Sequence, residues 1–118
     1  MTLDGDGLLL RIFVGDSDRF RGEPLFEAIV RRARERGLAG ATVLRGVEGF
    51  GAHSRIHTAR ILRLSQDLPI VIEIVDRAER VEAFLPELEE MVDEGMVTLE
   101  EVRVVVYRHR PPAAPPKT

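Results

Sequence analysis

The apolar positions of this chain change period as it advances. Leu8 to Val14 is a short apolar run held between Gly7 and Gly15, which predicts a first strand. Gly15-Asp-Ser-Asp18 then reads as a turn, and Pro24 suits the first turn of a helix, where its missing N–H costs nothing. Leu25, Phe26, Ile29, Val30 and Ala33 recur on one helical face, with Arg31, Arg32, Arg34 and Glu35 turned to water and Gly37 as the stop. Ala41 to Val47 reads as a second strand, in which Gly46 marks a bulge or the close approach of another backbone. Leu68-Pro69 introduces Ile70 to Val75, the strongest strand signal in the chain. Asp76-Arg-Ala-Glu79 has the form of a capping box ahead of a second helix, whose face carries Val81, Phe84, Leu85, Leu88 and Val92. Pro86 is expected to kink that helix and Gly95 to end it. Thr98-Leu-Glu-Glu101 reads as one capped turn, and Val102 to Tyr107 as the last strand.

The order β-α-β-β-α-β is the ferredoxin-like arrangement, an α+β fold with a four-stranded antiparallel sheet and two helices on one face. On these readings residues 1–7 are a flexible N-terminus, 8–108 a single domain and 109–118 a proline-rich disordered tail. The uncovered sheet face needs an occupant. Leu9, Arg11 and Phe13, with Val71, Glu73 and Val75, and with Arg103, Val105 and Tyr107, form a second set too apolar for water. Each strand brings one charge to that set, so Arg11, Glu73 and Arg103 are expected to pair across strands, and the face to be buried in a homo-oligomer.

Composition narrows the function classes. A chain of 118 residues, 44% apolar and 31% charged, is one ordinary domain. Its formal net charge of -3 argues against wholesale coating of nucleic acid. Cysteine is absent, which excludes disulfides, thiolate metal sites and cysteine nucleophiles. No apolar run approaches the roughly 18 residues that insert in a membrane, and the first residues lack a basic signal-peptide region, so a cytoplasmic protein is expected. No carboxylate pair or Ser/His/Asp arrangement stands out, so the expectation is a non-enzyme without a cofactor. Asp16, Asp18 and Glu23 read as turn and helix-start residues.

The cations gather instead on one loop. Between Gly49 and Leu68 the chain carries His53, Arg55, His57, Arg60 and Arg63 against Asp67 alone. Arginines there, with Arg45, suit a phosphate or an acidic partner surface, and Gly49-Phe50-Gly51 suits close approach of a ligand to the backbone. His53 and His57 offer a weaker metal pair with no third ligand nearby. Phe20 and Phe50 suit packing at a boundary better than base stacking.

Gly37-Leu-Ala-Gly-Ala-Thr-Val-Leu-Arg-Gly-Val-Glu-Gly-Phe-Gly51, Arg55-Ile-His-Thr-Ala-Arg60, Asp67-Leu-Pro69 and Glu73-Ile-Val-Asp76 together resemble P-II-like signalling proteins, and most of all the small bacterial family of P-II-like proteins. The resemblance spans about residues 8–107. It implies a ferredoxin-like homotrimer with clefts between subunits for a small anionic ligand such as a nucleotide. It also places the segment 51–68 where P-II proteins carry the T-loop that engages a transporter or channel. Thr42, Arg45, Gly49, Phe50, Gly51, Arg55, Arg60, Arg108 and Arg110 are the candidate ligand-binding residues. The phosphate loop of true P-II proteins, rich in glycine and bearing lysine, corresponds here to Glu94-Gly-Met-Val-Thr-Leu-Glu-Glu101, with one glycine, no lysine and three carboxylates. Two other roles suit the same fold: a trimeric metal-responsive protein similar to the CutA divalent-cation tolerance proteins, using His53 and His57, and an adaptor that presents the loop without a ligand.

Overall fold

The computed structural model describes residues 5–51 and 67–110. Four strands form one antiparallel sheet: β1 (Gly5–Gly15), β2 (Thr42–Arg45), β3 (Pro69–Asp76) and β4 (Met96–Val104), in the order β2-β3-β1-β4. Helices α1 (Leu25–Glu35) and α2 (Ala78–Met91) connect them. A hairpin of Arg19–Phe20 with Glu23–Pro24 leads into α1. The expected ferredoxin-like fold is therefore present.

The core follows from two periodicities meeting. Leu10, Ile12 and Val14 of β1 and Ile70, Ile72 and Ile74 of β3 are buried on one face of the sheet. Helix α1 lays Leu25, Ala28, Ile29 and Ala33 against them, and α2 lays Val81, Phe84, Leu88 and Met91. Alternation by two in the strands and by three or four in the helices brings these side chains into one layer. Truncating a central one such as Phe84 to alanine would cost roughly 3–5 kcal/mol.

Helix α1 ends as the glycine predicts. Gly37 adopts φ +75°, its N–H donates to the Arg34 carbonyl and that of Leu38 to the Ala33 carbonyl, both at 3.0–3.1 Å. These two bonds make a Schellman motif, which only glycine enters without steric strain. The second helix starts differently from its expected capping box. Arg77 is the N-cap and no side chain caps the helix. Asp76 belongs to β3, and its Oδ1 accepts the Arg77 N–H while its Oδ2 accepts that of Ala39, across the sheet end. Pro86 is accommodated within α2, which stops at Met91, before Gly95.

The last strand corrects the sequence reading most. Thr98 to Glu101 is not a capped turn but the middle of β4, which pairs with β1 from Phe13↔Met96 to Gly5↔Val104. This pairing also draws Gly5 to Gly7 into β1, ahead of the expected start at Leu8. Because Arg103 stands opposite Asp6 and Thr98 opposite Arg11, the faces of β4 are reversed from expectation. Arg103 does not share a face with Arg11; Glu100 does, at 3.8 Å from its guanidinium. A shift of one residue in strand register exchanges every side chain between faces.

Nor is the arginine face of α1 simply solvated. Arg32 Nη1 and Arg36 Nη2 both donate to Glu87 Oε1, at 2.9 and 2.7 Å, and Arg36 Nε to Oε2 at 2.7 Å. Arg31 grips Glu23 with two bonds of 2.6 and 2.7 Å. Phe20 packs against the core. No helix among the described residues is long and apolar enough to cross a membrane.

The bond from Arg36, followed by that from Arg32, holds the Glu87 carboxyl below the ordinary glutamate value of 4.5. A depressed carboxyl contributes stability that is complete above its unfolded-state pKa and lost as pH falls toward the folded-state value. Glu87→Gln should therefore lower Tm at pH 7 by roughly 3–5 °C, the effect of about 1 kcal/mol in a domain of this size. Thermal melts from pH 7 to pH 3 should show the wild-type advantage shrinking below about pH 4.5; a pH-independent gap would rule out the ion pairs as its source.

Candidate functional site

The helix-free face of the sheet carries Leu9, Arg11 and Phe13 from β1, Val71, Glu73 and Val75 from β3, and Thr42 and Leu44 from β2. The central ones are half-buried, a mixed face with apolar residues on either side of one ion pair. Arg11 Nε donates to Glu73 Oε2 at 2.9 Å. That bond raises the guanidinium above its ordinary pKa, with the nearby Glu100 and Glu73 charges adding to the effect. The pair fixes both side chains at the middle of the face and leaves its aliphatic neighbours on either side.

Toward one end of this face lies a cleft of about 470 Å³. Its floor is Leu9, Glu73 and Val75, its far side Val104 and Tyr107, and its near wall the run Ala39-Gly-Ala-Thr42 that enters β2. Small residues keep that wall thin, so backbone groups line the space. Tyr107 lies just beyond the end of β4, and its hydroxyl stands 3.5 Å from the Ala39 carbonyl, a long contact that spans the cleft mouth. Its ring sits 6.0 Å from that of His109. An aliphatic slot with one aromatic edge, a carboxylate in the floor and exposed backbone in the wall can hold a flat, partly polar ring.

Of the candidate residues, Thr42 lines this cleft. Arg45 is the last residue of β2, pairs with Ile70 and reaches the helix side, where its guanidinium is 6.0 Å from the Phe26 ring centroid and 2.8 Å from Asp16 Oδ1. The structure thus does not bring Arg45 to the cleft. Gly46 makes the close approach its position suggests: its N–H donates to the Pro69 carbonyl at 2.7 Å, and an added Cβ would meet Pro69 Cγ at 2.7 Å. Gly49 also packs on Pro69, while Phe50 is 71% exposed and Gly51 is exposed beside it. Arg108 and Arg110 follow Tyr107 as exposed residues. His53, Arg55, His57, Arg60 and Arg63 lie outside the described residues, as does most of the tail expected at 109–118. The sequence expectation puts Leu9, Glu73 and Tyr107 on one sheet face; in the structure Leu9 and Glu73 share the open face, while Tyr107 reaches the cleft from beyond the end of β4.

A family model matches residues 7–104, all of the sheet but the first two residues of β1, and both helices. The chain belongs to the family described as Uncharacterized ACR, COG1993 (DUF190). Relatives of this family include a UPF0166 protein of Aquifex aeolicus (strain VF5), 40% identical over 82% of this chain and 91% of its own length. Another is UPF0166 protein MJ1524 of Methanocaldococcus jannaschii, 33% identical over 81% of this chain and 89% of its own length. Among solved structures, the family fold matches a putative PII-like signaling protein (TTHA0516) of Thermus thermophilus, with TM-score 0.61 and 18% identity over 86% of this chain and 91% of that one. It also matches CPII of Thiomonas intermedia K12 bound to ADP and bicarbonate, with TM-score 0.55 and 22% identity over 84% and 88% of the two chains. The P-II-like fold expected from the sequence motifs is confirmed by these likenesses.

A double-mutant cycle tests the pairing at the centre of the open face. Arg11→Met and Glu73→Gln should each lower the urea midpoint, and the double variant should lose less than the sum. Strict additivity would mean that the two charges do not support one another.

Proposed function

We propose that this chain is a P-II-like regulatory protein that binds a small anionic ligand, an adenine nucleotide being the one to test first. The observation that carries the reading is the cleft of about 470 Å³ between Ala39–Thr42 and Tyr107, in a fold whose solved relative CPII is bound to ADP and bicarbonate. Leu9 and Val75 of the floor and Tyr107 suit the ring of such a ligand, and Thr42 its polar edge. Arg108 and Arg110, which follow Tyr107 beyond the end of β4, are the candidate contacts for its negative charge. The loop expected from 51 to 68 starts beside Gly49-Phe50-Gly51 and supplies Arg55 and Arg60 to the ligand or to a protein partner such as a transporter or channel.

A homotrimer is part of this reading. The open face, with Leu9, Phe13, Val71 and Val75 around the Arg11–Glu73 pair, is too apolar for water and suits burial against other copies. Exposed Leu44 on one edge strand, opposite Val71, and Met96 on the other, opposite Phe13, extend that surface to the places where neighbouring subunits would meet. The clefts then lie at subunit boundaries, and binding rather than catalysis is the role, in the cytoplasm.

Light scattering should give a mass of three times 13.2 kDa, and Phe13→Asp on the open face should lower it while α-helical circular dichroism is kept. Calorimetric titration of ADP should be saturable. An added side chain at Gly40 meets no atom within 4 Å, so Gly40→Leu should fold as wild type yet fill the cleft and abolish uptake. Arg108→Ala with Arg110→Ala should weaken ADP by at least about tenfold, the loss of one to two charge-assisted bonds. Equal ADP affinity in the Gly40→Leu variant would remove the cleft as the site, and no response to any adenine nucleotide would remove the ligand class.

A further inference from the structure

Asp76 is the one charged side chain buried among the described residues, with 1% exposure. A carboxylate at that depth persists only where donors replace its water. Arg77 N–H donates to its Oδ1 at 2.7 Å and Ala39 N–H to its Oδ2 at 2.9 Å. The Arg80 guanidinium supplies the opposite charge, with Nε 4.0 Å from Oδ2, and its Nη2 donates to the Gly37 carbonyl at 2.9 Å. The two residues together hold both polar ends of the stretch Gly37 to Ala39. Strand pairing cannot do this, because the β2 ladder begins only at Thr42. The residues that follow, Gly40 to Thr42, are the cleft wall.

Helix α2 forgoes something for this arrangement. An Asp just before a helix ordinarily caps the amides of the first turn, a contribution of about one lost or gained hydrogen bond, yet α2 has no side-chain cap. The second oxygen of Asp76 is directed to the far side of the sheet end instead. We infer that Asp76 and Arg80 are positioning residues for the cleft: they hold its wall from behind and set its affinity without lining it. The inference rests on the cleft being the ligand site proposed above, and the test separates the two.

The test is amide hydrogen exchange and calorimetric ADP titration on the intact protein and three variants. Asp76→Asn keeps the side-chain volume but leaves one acceptor oxygen for two amides. Arg80→Ala removes the tie to Gly37 from a side chain that is about one-third exposed. Val14→Ala is the control, a core truncation near Ile70, at the opposite end of β1 from the Leu8–Asp76 pair. Exchange at Ala39 to Thr42 should quicken about tenfold, and the ADP Kd weaken about tenfold, in D76N and R80A. V14A should lower Tm and leave both quantities at wild type. Unchanged exchange at Ala39 in D76N and R80A would overturn the inference, as would a V14A shift in Kd equal to theirs. If D76N fails to fold, R80A decides the matter alone. If wild type takes up no ADP, the proposed function fails, and the exchange arm still decides whether the pair holds the wall.

Discussion

One layer of helices against one four-stranded sheet leaves a face without cover, and the rest of the molecule is arranged around that imbalance. The covered face takes the fully aliphatic residues: Leu10 and Ile12 of β1, Ile70, Ile72 and Ile74 of β3. Their burial against α1 and α2 supplies the main driving force for folding. The other face keeps a mixture that neither water nor a dry core would select, since Arg11 and Glu73 sit between Leu9, Phe13 and Val75. An ion pair there resists stacking in arbitrary registers while its neighbours favour contact. The cleft sits where this face runs out, at the end of β1 and β3 that the entry to β2 and the exit from β4 overhang.

The parts of this fold legible from sequence are those where local pattern and long-range contact agree. α1 carries its hydrophobic stripe and its glycine stop, and the structure uses both, while Pro24 stands one residue before the first turn, as the N-cap. β3 carries β-branched apolar residues on both sides of Glu73 and becomes the second strand of the core. β4 defeats a local reading because Thr98-Leu-Glu-Glu101 has the signature of a helix start, while the continuous pairing with β1 outweighs it. Only the partner strand fixes where β4 begins, and with that start comes the assignment of Arg103 and Glu100 to their faces.

The candidate site divides in the same way. Thr42 is a candidate only through the resemblance, and the structure sets it at the end of the thin wall Ala39-Gly-Ala41. Arg45 looks equivalent three residues later, yet strand alternation turns it to the other side, where Asp16 already meets its charge. Asp76 has two local readings, strand end and helix cap, and the deciding partner is the amide of Ala39, 37 residues away in sequence. A one-dimensional pattern holds no record of such a bond, since it depends on where the Schellman turn at Gly37 delivers the chain.

Both borders of the segment 52–66 are fastened to the same small region. Gly46 is bonded to the Pro69 carbonyl, Asp16 N–H to the Leu68 carbonyl, and Ser17 Oγ to Asp67 Oδ1 at 2.8 Å. Closing a chain between two anchored ends depends only weakly on its length, each doubling adding about 0.6 kcal/mol. Those bonds lie wholly among the described residues, so the two ends stay side by side whatever length of chain joins them.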